Sequence, residues 1–195
     1  MMRHGETEAN VRRVLCGRED SPFTEAGRLQ PAQVARHLGD LALSCIYTSP
    51  MARARRTAGL VQAALDRPVP LHVEAALAEI DAGDFTGLSF EEVRRRAGTL
   101  GRVPDIRYPG GESWSDVQER AVSFVSRLEI RHAGGAVLLV THAGVIAGLV
   151  AHYFDEPIDR YIRTRFGHDF LGQLRVAGGV IADYRKIVGT VDAWF

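Results

Sequence analysis

Apolar positions in this chain switch repeatedly between short continuous runs and a helical spacing. Val137-Leu138-Leu139-Val140 is too short for a buried helix and suits a strand covered on both faces. It ends at Thr141-His142-Ala143-Gly144, after which a helical apolar pattern runs from Val145 to about Phe154. Ser44-Cys45-Ile46-Tyr47-Thr48 reads as a second strand, followed by Ser49 as N-cap and Pro50 as first residue of a helix to about Leu65. Thr24 caps an earlier helix predicted to run through Leu38, with a kink at Pro31. Val69 to Val73 is a short strand, 77 to 87 a glycine-bearing loop, and Ser89 caps a short charged helix. Ser113 caps another, whose Val117, Ala121, Phe124, Val125 and Leu128 share one face. Two last strands, near 170–176 and 179–184, flank Gly178-Gly179, a hairpin signal.

Alternating strands and helices predict an α/β fold. The expectation is a three-layer sandwich over 1–195, one domain, with a mostly parallel central sheet, helices on both faces and an antiparallel edge. Ligands of such sheets bind beyond the carboxyl ends of the strands. Arg3-His4, Ser49 to Arg53 and Thr141-His142 all stand at strand-to-helix junctions, so two histidines and two arginines are predicted to share one rim. A strand should lead into Arg3, yet only Met1 and Met2 precede it, so the N-terminal strand is expected to be truncated.

Composition narrows the partners. The 24 basic and 24 acidic side chains balance, which gives no global field for nucleic acid or an anionic membrane. Arg94-Arg95-Arg96 reads as a solvated helix face. Cys16 and Cys45 form no Cys-x-x-Cys pair, so neither a disulfide framework nor a zinc site is expected. No apolar run reaches the roughly 20 residues of a membrane span. The default expectation is a soluble cytoplasmic protein.

A histidine that attacks phosphorus needs cationic groups around the phosphoryl oxygens. Arg3-His4-Gly5 and Thr141-His142 supply that set. Arg53, in the first turn of its helix, adds a planar fork of donors beside free backbone N–H groups. Arg55 and Arg56 read instead as surface charges. His37, His72, His132, His152 and His168 lack such settings and read as structural or surface residues, His168 being the hardest to place because Arg163, Arg165 and Asp169 surround it. Glu79, Asp81 and Asp84 all stand in the 77–85 loop, and spacing does not choose an acid among them.

Arg3-His4-Gly5-Glu6-Thr7 with Asn10 resembles the signature of the histidine phosphatase superfamily, the phosphoglycerate-mutase-like fold. The similarity continues through Gly17 to Thr24, Ser49-Pro50-Met51-Ala52-Arg53-Ala54, Leu77, Glu79, Gly83, Gly87, Gly110-Gly111-Glu112-Ser113 and Thr141-His142-Ala143-Gly144. The segments follow the family's order over nearly the whole chain. The resemblance implies His4 as nucleophile, Glu79 as proton donor and His142 as a further catalytic group. Arg3, Asn10, Arg53 and Ala143 would hold the phosphate, and Arg18 would contact the rest of the substrate. It implies no cofactor and no metal.

Three positions depart from the family pattern: Phe23, where Leu is usual, Phe85-Thr86-Gly87, where many members have an aromatic, an acid and Gly, and Ala147, where an Arg often stands. The short stretch between Glu79 and His142 allows only a small cap, which favours water as acceptor. The chain looks closest to the α-ribazole phosphatase and broad-specificity phosphatase branch. The expectation is therefore a phosphatase acting on a small-molecule phosphomonoester, α-ribazole 5′-phosphate or a sugar phosphate, with no nucleic-acid or membrane partner and a homodimer as the open assembly. The alternatives are a phosphoglycerate mutase and a catalytically weak phosphate-binding or scaffold module.

Overall fold

A computed structural model describes residues 1–39, 41–98, 103–162 and 164–193; Arg163 lies outside them. Eight strands are present among the described residues: β1 (Met2–Arg3), β2 (Leu43–Thr48), β3 (Leu71–Val73), β4 (Ala136–Thr141), β5 (Thr164–Phe166), β6 (Leu171–Ala177), β7 (Val180–Val188) and β8 (Val191–Ala193). Six of them form one sheet in the order β3-β2-β4-β1-β6-β7, and β5 pairs with β8 separately. The first four in that order are mutually parallel, β6 runs antiparallel to β1, and β7 runs antiparallel to β6. The mixed α/β sheet with an antiparallel edge is the architecture expected.

Alternation along β2 and β4 explains the sandwich. Cys45, Tyr47 and Leu139 face one core, shared with Val117, Ala121, Phe124 and Leu128 of α5 (Trp114–Arg131) and with Val145, Ile146 and Leu149 of α6 (Ala143–Tyr153). Leu43, Ile46, Leu138 and Val140 face the other, against Val34, Ala35 and Leu38 and against Ala54, Ala58 and Val61 of α3 (Ala52–Ala63). Strands apolar on both faces are therefore buried on both faces. The remaining α-helices among the described residues are α1 (Glu8–Val11), α2 (Glu25–Ala35), α4 (Phe90–Ala97) and α7 (Ile158–Tyr161).

Several local signals were legible. Thr24 caps α2 through Gly27 N, Ser89 caps α4 through Glu92 N, and Ser113 forms a capping box with Asp116 on α5. Gly178 and Gly179 both take positive φ, +63° and +74°, as a two-residue hairpin turn requires. Other boundaries moved. The α-helix after Thr24 continues through Pro31 but ends at Ala35, with a 3-10 turn completing it to Leu38. The 77–87 loop contains a 3-10 turn at Gly83–Phe85.

The loop after β1 sits directly on α2. A Cβ on Gly5 would collide with the Gly27 carbonyl, and one on Gly27 with the Glu6 carbonyl. Gly5 N–H also donates to Thr57 Oγ1 on α3 (2.9 Å), and Glu6 N–H to Gln30 Oε1 (3.1 Å). Glycine at both positions lets two backbones touch, and that contact fixes where the residue before Gly5 stands.

Candidate active site

Parallel pairing sets the site. Met2 and Arg3 pair with Val140 and Thr141, while Thr48 pairs with Val140. His4 N–H donates to Thr141 O (2.9 Å) and Ser49 N–H to Val140 O (3.0 Å). His4, Ser49 and His142 thus each stand one residue beyond their strands, at the carboxyl rim. The His4 and His142 rings lie 5.0 Å apart, and both side chains are buried.

His4 Nδ1 lies 2.9 Å from the Gly5 carbonyl. A carbonyl can only accept, so Nδ1 carries the proton and Nε2 carries the lone pair. Arg53 Nε–H donates to that Nε2 (3.3 Å), which agrees with this tautomer. The group that orients the His4 imidazole is therefore a backbone carbonyl, and no side-chain motif could have named it.

Arg53 is buried and joins the rim to the 17–20 loop. Its Nη2 donates to Gly17 O (2.6 Å), and its Nη1 donates to Glu19 O. The start of α3 differs from the sequence expectation. Met51, not Ser49, is the N-cap, and Ala52, not Pro50, is the first helical residue. Asp20 takes the capping role from outside: its carboxylate accepts from Ala52 N (2.9 Å) and Arg53 N (3.1 Å). Ser49 is drawn elsewhere, sharing a 2.7 Å hydrogen bond with His142 Nε2. Ser49 is a site residue read only as a helix cap.

His142 is itself the N-cap of α6, which begins at Ala143 rather than Val145. The free N–H groups of that first turn, Ala143 among them, favour an anion at the rim. Two buried nitrogens here, His142 Nδ1 and Arg3 Nε, have no hydrogen-bond partner. Leaving such a donor unmatched costs about 1–3 kcal/mol, which a phosphoryl oxygen would recover. Arg3 is anchored at its other end, where Nη1 donates to Phe166 O (2.6 Å).

Of the three acids in the 77–85 loop, Glu79 is the one set against α6. A Cβ on Gly144 would lie 2.5 Å from Glu79 Oε1 and 2.6 Å from the Trp114 ring. Glu79 Oε1 accepts from Ile80 N (3.0 Å). Its backbone is held by Arg120, which donates to Glu79 O (3.2 Å) and Ala76 O (2.7 Å) and pairs with Glu112. Glu112 in turn accepts from Asp81 N–H (3.0 Å), so the Gly110–Ser113 motif buttresses the Glu79 loop. Asp81 is engaged with Arg18 and Gly83 N, and Asp84 is exposed. Gly144→Ala should push Glu79 and Trp114 aside. A shift on the order of 1 Å predicts a loss of roughly a hundredfold in kcat with the fold intact, checked by steady-state kinetics beside a melting curve.

Two predicted residues are not brought to His4 by any contact. Arg18 is half-exposed and bound to Glu112 (2.8 Å) and Asp81 (3.4 Å). Asn10 is the N3 residue of α1, and its Oδ1 accepts from Thr7 N (3.0 Å) and Thr7 Oγ1 (2.8 Å) in a capping box. His168, read as a structural or surface residue, is buried, its ring 5.2 Å from that of His4.

Burial holds His4 and His142 well below the ordinary 6.5. The charges of His142, Arg53, His168 and Arg3 add to this at His4, and those of Arg53, Arg3 and Arg120 at His142. Burial, with the Arg3 charge next, lowers His168 to about 3. For each, the unfolded chain binds its proton first as pH falls. Their contribution is neutral above about 6.5, and stability drains away below it, by about 1.4 kcal/mol per pH unit for each fully shifted histidine. Urea denaturation at pH 7 and pH 5 should show a loss of several kcal/mol, and equal midpoints would mean that these histidines titrate normally.

The rim thus gathers two histidines, two guanidinium groups and a helix N-terminus, a donor set suited to an anion. The chain belongs to the histidine phosphatase superfamily (branch 1), whose family model matches residues 1–179. It is 35% identical to the probable phosphoglycerate mutase GpmB of Klebsiella pneumoniae over 173 residues, 85% of this chain and 79% of that one. Among solved structures, Bacillus stearothermophilus YhfR superposes with a TM-score of 0.83 at 34% identity, covering 92% of this chain and 91% of its own. A mycobacterial glucosyl-3-phosphoglycerate phosphatase, solved with VO3, gives a TM-score of 0.77 at 27% identity and covers 100% of this chain and 96% of its own. Phosphatases and mutase-like proteins both stand among these relatives. Among the described residues no helix is long and apolar enough to cross a membrane.

Proposed function

We propose that the protein hydrolyses a small-molecule phosphomonoester through a phosphohistidine on His4. The observation that carries this reading is the His4 hydrogen-bond pair: Nδ1–H is spent on the Gly5 carbonyl, and the Nε2 lone pair lies beside the Arg53 guanidinium. Nε2 attacks phosphorus, the bond to the leaving oxygen breaks, and Glu79 gives that oxygen its proton. Water then attacks phosphorus, loses a proton to the Glu79 carboxylate and frees His4. Arg3, Arg53, the Ala143 N–H and the Asn10 amide would hold the phosphoryl oxygens throughout, where charge is spread and positioning dominates. With Ser49 Oγ–H donating to His142 Nε2, His142 Nδ1–H is left for the same anion.

The test is chemical. Labelled substrate should leave an acid-labile, base-stable phosphoenzyme that turns over to inorganic phosphate, with activity unchanged by a chelator. A label that is stable to acid, or activity that returns only with magnesium or zinc, would overturn the reading. A phosphate-release panel of sugar phosphates, nucleotides, phosphoglycerates and α-ribazole 5′-phosphate names the substrate. The second reading, a phosphoglycerate mutase, is favoured by the identity to GpmB; transfer of label between phosphoglycerate positions faster than phosphate release would select it.

A further inference from the structure

The strand that carries Arg3 and His4 is short. On the β6 side Met1 exchanges backbone hydrogen bonds with Gly172 and Met2 stands opposite Leu171, so there the ladder has ended before Arg3 and His4 are reached. The chain just ahead of β6 supplies the missing contacts. Phe166 O accepts from Arg3 Nη1 at 2.6 Å, and His168 Nδ1 donates to His4 O at 2.8 Å. The His168 ring also lies 5.2 Å from the His4 ring and is only 9% exposed. One three-residue segment thus grips a side chain and a backbone carbonyl of the adjacent Arg-His pair.

That segment is braced from behind. Phe166 pairs with Val191 across β5 and β8, Gly167 N–H donates to Thr190 O (2.8 Å), and Thr190 N–H donates to Asp169 Oδ1 (3.1 Å). The Phe166 and Phe170 rings pack at 5.0 Å. We infer that Phe166–His168 is a clamp that sets the nucleophile, with His168 as its positioning residue. Its Nδ1–H gives the His4 carbonyl a buried hydrogen-bond partner. A neutral ring does this without adding positive charge beside an imidazole that becomes cationic when phosphorylated, and burial keeps His168 neutral.

This rests on the reading of His4 as nucleophile, and the experiment separates the two. His168→Asn keeps an N–H near the place of Nδ1, whereas His168→Leu keeps volume and loses the donor. The rate of phosphoenzyme formation from an aryl phosphate in a single turnover should fall about tenfold or more in the Leu variant and return to within about threefold in the Asn variant. Affinity for inorganic phosphate and the acid limb of the pH profile should stay the same in both. No label in the unsubstituted chain would overturn the nucleophile and the clamp together. Label there with equal rates in both variants would overturn the clamp alone. A measurement free of folding effects is the ¹⁵N spectrum of the unsubstituted protein at pH 7, where His168 Nδ1 should be the protonated nitrogen; a lone-pair Nδ1 would also refute the clamp.

Discussion

Replacing His4 by Ala should abolish the phosphoenzyme and lower kcat by on the order of 10⁴-fold or more, since the variant lacks the Nε2 lone pair that attacks phosphorus. The geometry makes the loss specific. Arg53 Nε–H lies 3.3 Å from His4 Nε2, while its Nη groups are held by the Gly17 and Glu19 carbonyls. With the imidazole gone, that anchored guanidinium still offers an anion site. His4→Ala should therefore bind inorganic phosphate with nearly unchanged affinity, measured by calorimetry, while phosphate release disappears. Label retained in the variant would move the nucleophile elsewhere. Anion binding lost together with activity would mean that His4 organises the pocket rather than attacks.

Glu79→Gln should separate substrates by their leaving groups. An alkoxide leaves poorly unless it is protonated as the bond breaks, and a positioned acid contributes on the order of 10²–10⁴ in rate. A phenolate leaves unaided. The amide keeps the shape that Ile80 N and the Gly144 backbone accommodate, and the Arg120 bonds reach the Glu79 carbonyl rather than its carboxylate. Folding should therefore be spared. An alkyl phosphate should lose on the order of 10²-fold or more in the rate of phosphoenzyme formation, and an aryl phosphate little. Equal losses on both would make Glu79 structural. The acid would then have to be sought at Asp81, which is tied to Arg18 and Gly83, or at exposed Asp84.

The sequence alone determined the layers of the fold and the ends of its central strands. Apolar runs at 44–48 and 137–140 mean burial on both faces, which forces helices above and below, and strand-to-helix junctions then gather Arg3, His4, Arg53 and His142 at one rim. Capping residues such as Thr24, Ser89 and Ser113 were legible because an N-cap is satisfied by its own next turn. Tertiary structure decided what local rules cannot reach. Ser49 looked like a cap, but Asp20, more than 30 residues away in the chain, satisfies the Ala52 and Arg53 N–H groups, while Ser49 accepts from Met51 N–H ahead of α3 and bonds to His142. The tautomer of His4 depends on a backbone carbonyl, which every residue possesses and no motif marks. His168 carried no signal because its partner lies 164 positions away, across an antiparallel pairing whose register is set by the whole sheet. Hydrogen bonds within a turn are written in neighbouring residues; those between distant segments exist only once the sheet has brought them together.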